Sequence, residues 1–101
     1  MAENLKSVNT FPHMHTFSID TTTKEIQLPS ECKYIKVGSE TKILYIAQND
    51  ATDGGALPTH RAFVPSNNLL ELRLGIGLQR AKNIYVAAKT GTGTATIILE
   101  E

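Results

Sequence analysis

The sequence predicts an all-β protein: a single-domain antiparallel β-sandwich, jelly-roll-like, with about eight short strands. Thr, Val and Ile supply 25 of the 101 residues, twelve of them Thr, and β-branched side chains suit strands better than helices. Apolar and polar residues alternate in several short segments, as on strands with one face in water. Turn-forming residues separate these segments at short intervals, a spacing typical of sandwiches and jelly rolls.

Each predicted strand ends at residues that favour turns. In the third strand Ile35 and Val37 alternate with Lys36, so both are expected to point inward. The fourth, which contains Leu44 and Tyr45, is apolar on both faces, so we expect a central position in a sheet or an outer face covered by a neighbouring subunit or by the chain's own loops. The eight predicted strands are residues 14–19, 24–28, 33–37, 42–48, 61–64, 69–74, 83–88 and 94–99.

Two segments allow a second interpretation. Residues 69–74 could begin a helix, but Gly75 and Gly77 follow at once, so we predict a strand with its leucines at 70, 72 and 74 inward. The Gly-rich residues 90–94 resemble a phosphate-binding loop, but such a loop needs a helix after it, and here a strand follows. We therefore predict a β-hairpin turn, after which Thr94 and Thr96 face away from the core and Ala95 and Ile97 face into it.

Composition and charge restrict the function. Ten Lys and Arg residues balance ten Asp and Glu residues, so neither nucleic acid nor a membrane is an expected partner. Cys32 is the only cysteine, which excludes an intrachain disulfide. The first ten residues lack the apolar core of a signal peptide, so we expect synthesis in the cytoplasm. Residues 1–12 are predicted to form a polar arm, residues 13–101 the sandwich, and residues 49–60 one long loop.

The candidate chemical sites are few. His13 and His15 would project from one face of a strand, and His60 could complete a metal-binding trio, although histidines near a terminus are more often ordinary surface residues. Cys32 follows Glu31, whose charge would oppose activation of the thiol, so a structural role is favoured. Asp50 and Asp53 lack the acidic ligand set of an EF-hand. No catalytic motif and no cofactor site is predicted.

Two segments are candidates for contact with another protein. The arm ends in Phe11-Pro12, which could lie on a neighbouring subunit or tuck under its own domain. Leu57 in the long loop could contact another protein, or the loop could fold back over its own core. Leu44 or Tyr45 would be the central apolar anchor. The predicted interface residues are Phe11, Pro12, Leu44, Tyr45, Asp53, Leu57 and His60.

The order of segments resembles the small β-sandwich decoration, or cement, proteins that coat the heads of tailed bacteriophages. The resemblance is carried by the aromatic arm at residues 10–12, the apolar strand at 42–47, the long loop, the turn at 63–68 and the closing segments 84–87 and 91–97. It implies a non-enzymatic virion protein, often trimeric, that binds the major capsid protein on the capsid surface after assembly in the bacterial cytoplasm.

Two other functions stay open at this point. The first is a tail or fibre tip domain that recognises host carbohydrate, although the chain has no Trp and only six aromatic residues for a sugar platform. The second is a small cupin-like protein with the three histidines as metal ligands. Stoichiometric metal in the purified protein would be required for that function.

Overall fold

The computed structural model describes residues 2–48, 52–55, 60–74 and 83–101, which form nine β-strands and no helix. Seven of the eight predicted strands differ from the observed ones by one or two residues at an end, and residues 83–88 match at both ends. The described part of the chain contains no helix long and apolar enough to cross a lipid bilayer. The strands are β1 Glu3–Asn4, β2 His13–Ile19, β3 Lys24–Gln27, β4 Tyr34–Ser39, β5 Leu44–Ala47, β6 Ala62–Val64, β7 Asn68–Arg73, β8 Asn83–Ala88 and β9 Gly93–Glu100.

The strands form two sheets. The five-stranded sheet has the order β1-β3-β8-β5-β6, and the four-stranded sheet has the order β2-β9-β4-β7. Antiparallel pairs join β2 with β9, β3 with β8, β4 with β7 and β5 with β6. The chain from β2 to β9 therefore pairs as one long hairpin that is wrapped across both sheets, which is the topology of a jelly roll. The predicted fold class is confirmed.

The core lies between the two sheets and contains the inward residues of the alternating pattern. Ile35 and Val37 are fully buried on β4, and Ala95 and Ile97 are fully buried on β9, as the sequence predicts. The three leucines of 69–74 also face inward: Leu74 is buried, whereas those at positions 70 and 72 are partly buried and pack against the core. β5 lies inside its sheet, between β8 and β6, as its two apolar faces indicate.

The turn after β8 is not a hairpin, and that prediction is wrong. β8 pairs with β3 and β5 in one sheet, whereas β9 pairs with β2 and β4 in the other, so residues 89–92 cross between the sheets. Gly91 has a φ of 69°, a conformation that a side chain disfavours. The glycines permit a sharp change of direction, but strand pairing elsewhere decides which sheet the chain enters.

The N-terminal segment is held against its own domain. Glu3 and Asn4 form β1, which pairs in parallel with β3, and Leu5 is buried in the core. Phe11 is partly buried and also packs against the core, and Pro12 is exposed and follows a cis peptide bond. Of the two interpretations of the arm, its packing on the same domain is the one observed in this chain.

Candidate interaction surface

The three histidines do not assemble. His13 and His15 lie on one face of β2 with ring centroids 6.5 Å apart, and His15 Nε2 is 2.8 Å from Glu3 Oε1. His60 instead lines a cleft with Arg61 and residues of β5 and β7. Within the described ranges, no three His, Cys, Asp or Glu side chains are placed to hold a metal ion. The structure therefore does not support the predicted metal-binding alternative.

Cys32 occupies a core position. Its side chain is fully buried, and its thiol donates a hydrogen bond to the carbonyl of Tyr34 at 3.2 Å. A buried thiol is inaccessible to a substrate in solution. This placement fits the structural role that the sequence favours.

The described part of the long loop is fastened to β3. Asp53 Oδ1 accepts a hydrogen bond from the backbone N–H of Glu25 at 2.8 Å, and the N–H of Gly54 donates to the carbonyl of Thr23 at 2.7 Å. The hydrogen bond from Glu25 lowers the pKa of the Asp53 carboxyl below its ordinary value of 3.8. Leu57 and Asp50 lie outside the described residues, so the predicted contact at Leu57 stays a prediction.

The lowered pKa of Asp53 predicts how Asp53→Ala changes stability with pH. A folded-state pKa below 3.8 means that the ionised carboxylate stabilises the fold above that pH, and that this contribution is lost as the pH falls. We expect Asp53→Ala to be slightly less stable than the wild type at neutral pH, because the backbone N–H of Glu25 loses its hydrogen-bond acceptor. The difference in stability should shrink as the pH falls.

Urea unfolding midpoints from neutral to acid pH would measure this difference. Asp53→Asn is the matched control, because it keeps an oxygen that can accept from Glu25 but removes the charge. A stability difference between the wild type and Asp53→Ala that stays constant with pH would contradict the expectation.

Leu44 and Tyr45 lie on opposite faces of β5. Leu44 is fully buried in the domain's own core, so it has no surface to offer a partner, and its predicted role as an interface anchor is not supported. Tyr45 is partly exposed on the outer face of the five-stranded sheet, where it pairs across the ladder with Phe63 on β6 and Ala87 on β8. Phe63 is 67% exposed.

Arg61 covers one side of this surface. Its guanidinium carbon lies 4.0 Å from the centroid of the Tyr45 ring, a distance at which cation and ring attract. We call Tyr45, Arg61, Phe63, Tyr85 and Glu25 the aromatic surface, since all five lie on or beside the outer face of the five-stranded sheet. The Arg61 guanidinium over the Tyr45 ring places a positive charge near the exposed Phe63 side chain.

The other end of the aromatic surface is a hydrogen-bond network. Tyr85, which pairs with Glu25 across the β3–β8 ladder, donates its hydroxyl to Glu25 Oε2 at 3.3 Å. Asn83 donates to the same oxygen at 3.1 Å, and Gln27 donates to Glu25 Oε1 at 2.8 Å. Burial first, and then the negative charge of Glu25, raise the pKa of the Tyr85 hydroxyl above 10.0. Tyr85 therefore stays a neutral donor at physiological pH.

Phe63 and Arg61 are missing from the predicted interface, although the sequence contains a signal for one of them. The strand 61–64 is predicted, and placing Val64 inward places Phe63 outward by simple alternation. Nothing in the sequence indicates that Arg61 lies over Tyr45, because this contact depends on the pairing of β5 with β6, which a long loop separates.

The fold and this surface define the class: a jelly-roll domain with an exposed aromatic face on one sheet. No protein-family model, no curated protein and no solved structure matches the chain.

Proposed function

We propose that this chain is a non-enzymatic structural virion protein of a tailed bacteriophage. It would bind the outer capsid surface as a decoration or cement protein, associate as a homotrimer and stabilise the head by bridging subunits of the major capsid protein. The supporting observation is Phe63, a side chain 67% exposed beside Tyr45 on the outer face of a jelly-roll sheet.

An exposed phenylalanine favours a contact. Fully burying such a side chain is worth about 1.5–3 kcal/mol, and aromatic and arginine side chains are the usual anchors of protein interfaces. Phe63 and Tyr45 provide two aromatic side chains, and Arg61 lies over the Tyr45 ring. A partner that covers Phe63 would gain this energy without any rearrangement of the sheet.

The rest of the aromatic surface also suits docking. Glu25 already accepts hydrogen bonds from Gln27, Asn83 and Tyr85, so each carboxylate oxygen keeps a hydrogen-bond donor when a partner covers these groups. The net charge of zero adds little repulsion between copies. Many weak, symmetric contacts on a shell then sum to a strong attachment.

Location on the virion is the first test. Particles purified by density gradient from the organism that encodes the chain should contain the protein, and gold-labelled antibodies raised against it should mark the heads. Label on tails alone, or protein only in the soluble fraction, would contradict the proposal.

A substitution at Phe63 tests the docking face. We expect Phe63→Thr to weaken binding to capsids at least about tenfold, as measured by co-sedimentation with heads stripped of the protein. Met14→Thr is the matched control, because Met14 is 70% exposed but lies on β2 of the other sheet. Equal losses for the two variants, with unchanged circular dichroism, would argue against the aromatic surface as the docking face.

Carbohydrate recognition is the second candidate, and one observation favours it. The Tyr45 and Tyr85 rings lie outside the core, on the same face as the Glu25 network, and saccharides bind where rings and fixed polar groups meet. This function predicts binding to a glycan array that the double variant Glu25→Gln/Tyr85→Phe loses and Phe63→Thr keeps. Capsid docking predicts that Phe63→Thr loses capsid binding and that the double variant keeps it.

A further inference from the structure

β7 is an edge strand with an unusual combination of features. It is six residues long and ends the four-stranded sheet, and none of the described strands pairs with its outer edge. The opposite edge strand, β2, places Phe17 and Ile19 in the core, where they are 5% and 4% exposed, whereas Leu70 and Leu72 of β7 are only partly buried. An edge strand with incompletely covered leucines favours addition of a further strand.

The backbone groups at this edge can be assigned from the ladder. The N–H of Leu74 donates to the carbonyl of Lys33 at 2.9 Å, in line with the register that places Arg73 opposite Tyr34. Hydrogen bonds in an antiparallel strand point alternately to its two sides. The N–H and C=O groups of Glu71 and Arg73 therefore point to the outer edge, where a further strand would bind them.

The charged side chains at this edge are complementary to the same side chains on a second copy of the strand. Glu71 and Arg73 are exposed, carry opposite charges and lie two residues apart on the outer face. If two copies of β7 pair antiparallel with Leu72 opposite Leu72, each Glu71 lies opposite Arg73 of the other copy. A shift that puts Glu71 opposite Glu71 brings like charges together, which is unfavourable. The charges therefore select one register.

We propose that β7 pairs with β7 of a second copy of this chain, antiparallel across a two-fold axis at Leu72, and joins the two four-stranded sheets into one. Two Glu71–Arg73 pairs fix the register on the outer face, and the partly buried leucines are covered on the inner face. This contact is isologous, so it is distinct from any three-fold contact and would link trimers in pairs. It goes beyond the proposed function, since it holds whether or not the chain binds a capsid.

Charge reversal tests the pairing in solution. Glu71→Arg and Arg73→Glu each place like charges opposite one another, so we expect each to weaken pairing about tenfold or more in sedimentation equilibrium. The double variant restores both opposite-charge pairs and should regain pairing. Mixing the two single variants should also restore it, because the charges of one then match those of the other.

A cysteine at the axis tests the register directly. Residues opposite each other in a non-hydrogen-bonded antiparallel pair have Cα atoms about 4.5 Å apart, which a disulfide can span. Leu72→Cys should therefore form a covalent dimer under mild oxidation, whereas Leu70→Cys, which would face residue 74 of the second copy, should not. Cys32 is fully buried and should give no background.

The outcomes separate clearly. If association between copies is lost in both single variants and recovered in the double variant and in the mixture, the pairing is supported. A disulfide that forms in Leu72→Cys but not in Leu70→Cys also supports it. A wild-type chain that shows no even-numbered association at any concentration overturns it, and so does a double variant that behaves like the singles. Binding of Phe63→Thr to capsids is a separate measurement, so failure of the capsid proposal would leave these outcomes readable.

Discussion

Leu44→Ala is expected to lower the free energy of unfolding by about 2–5 kcal/mol. Leu44 is fully buried on β5, between β6 and β8, so truncation removes apolar contacts and leaves a cavity that its hydrogen-bonded neighbours cannot fill by moving. Domains of this size are stable by only about 5–15 kcal/mol, and the loss would be a large share of that total.

Urea unfolding would measure the effect, as a lower midpoint with an unchanged slope. Ile43→Ala is the control, since Ile43 precedes Leu44 in the chain but is 38% exposed, and it should cost about 1 kcal/mol or less. If Leu44→Ala weakened association between copies while leaving stability unchanged, Leu44 would be an interface residue and its place in the core would be contradicted.

Gly38→Ala is expected to destabilise the fold by about 3 kcal/mol, which corresponds to a melting temperature lower by roughly 10–20 °C. Gly38 lies on β4, between β7 and β9. A Cβ atom there would overlap the backbone carbonyl oxygen of Asn68 and would lie 3.1 Å from Leu69 Cδ2. The backbone of a paired strand cannot rotate away as a side chain can, so the β4–β7 ladder must distort.

Gly93→Ala is the matched control, because Gly93 is also in a strand of the same sheet. Its Cβ would lie 2.9 Å from Lys42 Cγ, which belongs to a side chain that can change rotamer, so the cost should be below about 1 kcal/mol. Thermal unfolding by circular dichroism compares the two. Similar melting temperatures for both variants would show that the close approach at Asn68 does not restrict residue 38.

Pairing of β7 depends on this same ladder. Because Gly38 is opposite Leu69 on β7, distortion at Gly38 should also displace the edge that carries Glu71 and Arg73. Charge reversal at the edge, in contrast, leaves the core untouched. It removes only the contact of Glu71 with Lys36 or that of Arg73 with Tyr34 on the outer face, so it should change stability little and association strongly. Comparison of the two sets of variants therefore separates loss of fold from loss of contact.

The sequence by itself determines eight of the nine strands and, where apolar and polar residues alternate, the side of the strand that enters the core. Alternation places Ile35 and Val37 inward, and the same reasoning places Phe63 outward, because the two faces of a strand are fixed by the covalent geometry of successive residues. The predicted strand at residues 69–74 is likewise set locally, by its leucines and by the glycines that follow.

Tertiary structure alone decides which strands pair and what the surface presents. Apolar residues on both faces of 43–47 leave open whether Leu44 or Tyr45 enters the core, and the packing of the second sheet selects Leu44. A glycine-rich turn fits a hairpin and a crossing between sheets equally well, and only the pairing of β9 with β2 and β4 settles it. Arg61 reaches Tyr45 because distant segments pair, and such contacts depend on the whole fold, which no local pattern encodes.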